Sequence, residues 1–245
     1  MPELATKTNQ LLDEMNSLRF KQHIDEFTLL RLEREVQKLL QIDPFNAYQF
    51  LGMLAVFRED IANVHKYYET ASKLATTSGE KNILLNNYAA SLCNMGYFSK
   101  AVKLSDDITD SSIEIVKPVK VFFSAGLFHR AANFIRKHSL ENDNFIFAVE
   151  QFMNEHGVTD EQLQKLIEIT ISVLHKHQFF NFRNAVHIEF SSDESSIWLS
   201  YIIKVDRSIE EIVEMDYELA CAIAEEDFPT DLLLHFIPVY EVAGE

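Results

Sequence analysis

The sequence predicts a mainly α fold: an antiparallel helical-hairpin solenoid followed by a small α+β domain in the order strand, strand, helix, strand. Three observations carry this. First, a short pattern occurs twice, as Gly96-Tyr97-Phe98-Ser99-Lys100-Ala101 and as Gly126-Leu127-Phe128-His129-Arg130-Ala131. A Gly, an aromatic two residues on, a basic residue and an Ala mark a tight turn between packed helices, and a spacing near thirty is that of stacked hairpins. Second, the apolar period changes from about 3.6 to 2 at Val186. Third, the charge is lopsided. The formal net charge is −16, and from Val186 onward fifteen Asp and Glu face only Lys204 and Arg207, a net of −13. These steps in pattern and charge divide the 245 residues into a helical repeat domain, 1–180, and an acidic ββαβ domain, 181–245.

Taken in order, residues 4–41 read as two helices, 4–18 and 25–41. In the second, Phe27, Leu30, Val36 and Leu40 lie near helical spacing, with acids early and Lys38 late, as the helix dipole favours. Asp43-Pro44 ends it. A first hairpin follows, carrying Tyr48-x2-Leu51-Gly52-x2-Ala55 and then Val64, Tyr68 and Ala71. Small residues at Gly52, Ala55 and Ala71 let two antiparallel helices approach, while Tyr48 and Tyr68 fill the space between hairpins. A second repeat begins near Asn82, with Tyr88, Ala89, Leu92, Gly96, Phe98 and Ala101 at the matching offsets. A third begins near Ser112, with Val119, Phe122, Gly126, Phe128 and Ala131. Pro118 falls in the first helix of that repeat, which is therefore expected to be short or kinked.

Two further helices are predicted, one over 144–156 and one over 159–177. The second is opened by the capping box Thr159-x-x-Gln162 and carries the stripe Leu163, Leu166, Ile167, Thr170, Ile171, Leu174. This helix is expected to cap the stack. Val186, Ile188 and Phe190 then alternate with polar residues, a polar tip spans 191–196, and 197–205 is rich in aromatic and branched residues: a β-hairpin. Ser208-x-x-Glu211 caps a helix to about residue 226. Phe228-Pro229 stops it, and 232–242 reads as a third strand.

Over residues 45–138 the chain resembles tetratricopeptide-repeat proteins. It departs from their consensus in lacking the Trp, in having Ser105 where an aromatic is expected, and in having no terminal Pro in place. The resemblance implies a TPR-like module that binds a peptide on a concave face lined by the first helix of each hairpin. By offset this face holds Gln49, Met53, Val56, Phe57, Asn86, Ala90, Asn94 and Lys120. The polar carboxylate clamp of chaperone-binding members is not matched, because Met53 and Ala90 take its positions. Such a groove prefers an apolar or helical segment.

On the C-terminal helix Glu210, Glu214, Glu218 and Glu225 share one arc, either a solvated face or a docking face for a basic partner. Ile209, Ile212, Val213, Leu219, Ala220 and Ile223 share the opposite arc. Asp216 lies in its middle, either wet at the sheet edge or buried and paired with His187, His235 or Arg207. Trp198 and Ile202 project from the sheet face opposite Leu199, Tyr201, Ile203 and Val205, as anchors for the repeat domain or for a partner. His175-Lys176-His177 places two His on different sides of a helix, Cys93 and Cys221 are distant and read as reduced core residues, and no metal or cofactor is expected. No phosphate loop, nucleophile elbow or Cys–His signature is present. The acidic C-terminal part disfavours nucleic acid, no apolar run reaches the length of a spanning helix, and the start Met-Pro-Glu-Leu does not read as a leader, so the expected location is the cytoplasm.

The function expected is non-enzymatic protein–protein interaction: an adaptor or chaperone-like module, similar to bacterial secretion-type chaperones, that holds a partner segment. The alternative is an antitoxin or immunity-type inhibitor that masks a basic partner through its acidic domain. A lower alternative is an enzyme with its site between the two domains.

Overall fold

The computed structural model describes residues 2–18, 21, 24–108, 116–140, 144–183, 185–193 and 196–243. It is mainly helical, with one three-stranded mixed sheet near the C-terminal end. The chain falls into two compact units, 1–113 and 114–245. The step in charge at Val186 lies well inside the second unit, so the helices over 116–176 share a unit with the sheet.

In the first unit, α1 (Pro2–Leu18) and α2 (Glu26–Leu39) bury Leu11, Met15, Leu18, Leu29, Leu32, Val36 and Leu39. Asp25 caps α2, accepting the Thr28 N–H at 2.8 Å. Phe27 and Leu30, which the spacing placed with the apolar set, are exposed at 77% and 44%. The better stripe is Leu29, Leu32, Val36, Leu39, three and four residues apart and on the other side of the helix. Next, α3 (Pro44–Phe57) is apolar on every side, and residues 49–56 are all buried. Such a helix is stable only when surrounded, and α2, α4 (Ile61–Leu74) and α5 (Ser78–Cys93) all pack on it. Each large apolar side chain covered in this way contributes about 1.5–3 kcal/mol.

The α3–α4 pair is a close hairpin, as the small residues predict. A Cβ on Gly52 would lie 2.6 Å from the Tyr68 ring. Tyr68 is fully buried, stacks on Tyr88 of α5 with centroids 4.7 Å apart, and its hydroxyl shares a 2.8 Å hydrogen bond with Ser91. It thus joins the first hairpin to the second, which α6 (Phe98–Asp106) completes.

One turn closes hairpin after hairpin. Gly96 and Gly126 both take positive φ, 77° and 75°. The N–H of the residue after each reaches the carbonyl five positions back, Tyr97 to Leu92 and Leu127 to Phe122, both at 2.9 Å. This is a Schellman turn, which needs a left-handed residue. Glu59, Ser139, Gly157 and Gln178 adopt the same conformation and close the same five-back bond. The duplicated glycine motif is therefore the legible part of a longer series, in which three members among the described residues are not glycine.

In the second unit, α7 (Val116–Ser124) and α8 (Phe128–His138) form the third hairpin. The expected start of its repeat near Ser112 lies outside the described residues. Helix α7 is short, as Pro118 suggested, but Pro118 is its third residue. In the first turn no backbone N–H has a partner within the helix, so a proline removes nothing there. The helices α9 (Asn144–Glu155) and α10 (Asp160–Lys176) are joined by the Gly157 turn. They share its geometry without the close approach of the other pairs; α9 packs on α8, and α10 on α8 and the sheet.

The sheet order is β1 (Val186–Ser192), β2 (Ile197–Val205), β3 (Phe236–Val242), with β1 antiparallel and β3 parallel to β2. Glu194 and Ser195 of the hairpin tip lie outside the described residues. A parallel neighbour needs a crossover, supplied by α11 (Ile209–Ala224) and a short α12 (Thr230–His235). The expected third strand, 232–242, thus begins at Phe236: the Leu232–Leu234 run fits either period, and Leu232, fully buried, fixes it as helix. Leu199, Tyr201, Ile203, Val205, Phe236 and Tyr240 form the packed face. The Tyr201 hydroxyl donates to Ser124 O and that of Tyr240 to Thr170 O, both at 2.7 Å.

Candidate functional site

The helix α11 owes its position to its ends and one stripe. Ser208 and Glu211 form the predicted capping box: the Ser208 hydroxyl accepts from Glu211 N at 3.3 Å, and the Glu211 carboxylate accepts from Ser208 N at 3.0 Å. These bonds hold the Glu211 carboxyl below its usual pKa. Ile212, Met215 and Leu219 are buried, and α11 packs against α10 and β3. The His177 ring, just past α10, shares a 3.1 Å hydrogen bond with Glu218.

The rest of the apolar arc is not covered. Ile209, Val213 and Tyr217 are exposed at 63%, 61% and 72%, and Ala220 and Ala224 are exposed too. At 100° per residue these five fall within about 80° of arc. The sequence placed Ile209, Val213 and Ala220 on one apolar face with Ile212 and Leu219. The arc is wider than α10 and β3 cover, so one half packs and the other faces outward. Glu210, Glu214 and Glu225 are exposed along one border of this stripe. Asp216 marks the other. It is exposed, the wet alternative of the sequence reading, and partial burial pushes its carboxyl up. Of the predicted acidic row only Glu218 is half-buried and engaged. Helix α11 contains five acids and no Lys or Arg, and Glu225, Glu226 and Asp227 follow at its C-terminal end. Negative charge there opposes the helix dipole; Lys165 pairs with Glu226.

The predicted groove lies elsewhere. Gln49, Met53, Val56 and Asn86 are buried within the first unit, Met53 in one core cluster with Leu11, Met15 and Leu32. Gln49 accepts from the Asn87 amide at 3.0 Å. Phe57, Ala90 and Asn94 are half-buried, and Lys120, exposed, belongs to the second unit. Helices α1 and α2 both pack on α3, the helix that carries Gln49, Met53, Val56 and Phe57. Of the sheet-face anchors, Trp198 is half-buried, and Ile202 is buried between His187 and Val239 on its neighbouring strands.

Several other titratable groups make local contacts. Asp160 caps α8 from a distance, accepting the N–H groups of His129 and Arg130 at 3.0 and 2.9 Å, and burial raises its pKa despite them. Glu150 accepts two guanidinium bonds from Arg136. His65 meets the Tyr88 hydroxyl; burial lowers the His65 pKa and pushes the Tyr88 phenol up to about 12. Cys93 is half-buried and Cys221 exposed, and the two do not form a disulfide, so only the first resembles the core residue expected. A cavity of about 10 Å³ among Phe128, Leu163, Ile167, Leu199, Tyr201 and Phe236 is apolar and holds at most one water. Among the described residues no cluster of three metal-ligating side chains occurs, and no helix is long and apolar enough to cross a membrane.

Comparison with protein-family models, with curated proteins and with solved structures finds no match to this chain.

Proposed function

We propose that this chain is a non-enzymatic protein-binding module, with a scaffold of TPR-like helical hairpins and a working face on the acidic C-terminal helix. The observation that carries this reading is the exposed stripe Ile209, Val213, Tyr217 on a helix with no basic residue. Exposed apolar side chains in a contiguous stripe mark association surfaces, and one-signed charge beside them selects a partner of the opposite sign and speeds its encounter. A masking role toward a basic protein, of the antitoxin or immunity type, fits this better than the holding of a segment along Gln49, Met53 and Asn86, which the chain itself covers.

The test compares two charge-reversed forms of the full chain. One carries Glu210→Lys and Glu214→Lys; the control carries Asp13→Lys and Glu69→Lys, two exposed acids of the first unit. Immobilised wild type should retain small basic proteins and not acidic ones of matched size, and should release them on raising salt from about 50 to 500 mM. The α11 pair should abolish retention and the control pair should leave it. Equal losses in both would show bulk charge attraction and sink the assignment to α11.

A further inference from the structure

The α11 stripe has the geometry of one half of a helix pair. Ile209, Val213 and Tyr217 follow at i, i+4 and i+8, the row that forms a ridge on a helix surface, with Ala220 and Ala224 beside it as low points. A ridge bordered by shallow positions accepts the groove of a second helix lying along it. A strand laid here would meet side chains and no free backbone groups, since every backbone group inside a helix is already bonded.

The charge decides whose helix it is. A second copy of this chain, pairing isologously, would bring Glu210 and Glu214 of each protomer toward the same residues of the other. Like charges at that range oppose the pair. Asp216 closes the opposite border, so neither edge offers a cation to a symmetric mate.

We infer that α11 docks a basic amphipathic helix of another protein, whose apolar face covers Ile209, Val213 and Tyr217 and whose Lys or Arg flanks meet Glu210 and Glu214 on one side and Asp216 on the other. This rests on the reading of α11 as the working face and adds the form of the partner. Three large side chains and two alanines make a small interface, so the complex is transient, with a Kd on the order of micromolar.

The probes are labelled peptides of roughly 18 residues, about five helical turns: a Leu/Lys amphipathic helix, the same residues scrambled so that no apolar face forms, and a Leu/Glu amphipathic helix. Anisotropy with the full chain should show the Leu/Lys helix binding at least tenfold tighter than the scrambled peptide and the Leu/Glu helix not binding. Val213→Asp adds negative charge yet should weaken the Leu/Lys helix at least tenfold. Val213→Asn should do the same with unchanged far-ultraviolet circular dichroism. If both Lys peptides bind alike and Val213→Asp strengthens them, the helix inference falls while the basic-partner reading stands. If no peptide binds and the α11 charge reversal leaves basic proteins retained, both fall. Sedimentation as a dimer that Val213→Asp dissociates would assign the stripe to a second copy and overturn the inference.

Discussion

At the scale of single residues, Gly126 does something different from Gly157, although both close the same turn. Gly126 is left-handed and tightly placed: a Cβ there would lie 2.5 Å from Ile167 Cδ1 and 3.1 Å from Leu163 Cγ. Gly157, at φ 64°, has nothing within 4 Å of that position. Alanine at Gly157 should therefore cost only the left-handed penalty, about 1–2 kcal/mol. Alanine at Gly126 adds overpacking of about 1–3 kcal/mol. Urea denaturation of the two variants should rank Gly126→Ala as clearly the less stable; equal midpoints would show that α10 yields without cost. The spacing of the motif in sequence reveals the turn. It does not reveal that one glycine faces α10 and another faces solvent, because the neighbour comes from forty residues away.

At the scale of elements, caps and closing turns were the most readable features. The boxes Thr159–Gln162 and Ser208–Glu211 form as spelled, because capping is a local exchange between side chain and backbone within four residues. Asp60 at the start of α4 is of the same kind, accepting Asn63 N at 3.0 Å, and this bond holds its carboxyl below the usual range. A depressed carboxyl adds stability that is present above the unfolded value of 3.8 and lost as pH falls through the lower folded value. Asp60→Ala should lower stability by about 1 kcal/mol at neutral pH. The gap between variant and wild type should close below the unfolded value, as chemical denaturation across pH 7 to 2.5 would record. A gap that widens in acid would mean that the carboxylate is not the capping species. Elements set by competition were less readable. Leu232–Leu234 satisfied two periods, and Phe27 and Leu30 offered a second stripe on α2; in both places packing chose.

At the scale of the whole molecule, the net charge of −16 works against the compact state through self-repulsion. Thirteen of those charges belong to the last sixty residues, where the visible countercharges are Lys204 and Arg207. Moderate salt should therefore raise the melting temperature between about 20 and 300 mM NaCl, over which the Debye length falls below ~10 Å. Glu210→Lys with Glu214→Lys should raise it at low salt and flatten the dependence, as differential scanning fluorimetry would show. A wild-type melting temperature that falls with salt would mean that attractive pairs such as Arg58 with Glu26 and Glu33 outweigh the repulsion.

The helix and strand periods, the hairpin turns at Gly96 and Gly126, the caps, and the segregation of acid into the C-terminal sixty residues are all written in the order of the amino acids, because each depends on neighbours within a few positions or on composition alone. The tertiary structure decided which of two apolar arcs on a helix is covered. Met53 and Gln49 were legible as a groove by offset, yet both are buried, Met53 in a cluster with Leu11, Met15 and Leu32 of α1 and α2, and Gln49 bonded to Asn87 of α5. Ile209 and Val213 were legible as core by period, yet α10 and β3 reach only the side of α11 that carries Ile212, Met215 and Leu219. The physical reason is the same in both. Periodicity gives the direction in which a side chain points relative to its own helix axis, while burial depends on what the rest of the chain brings to that side.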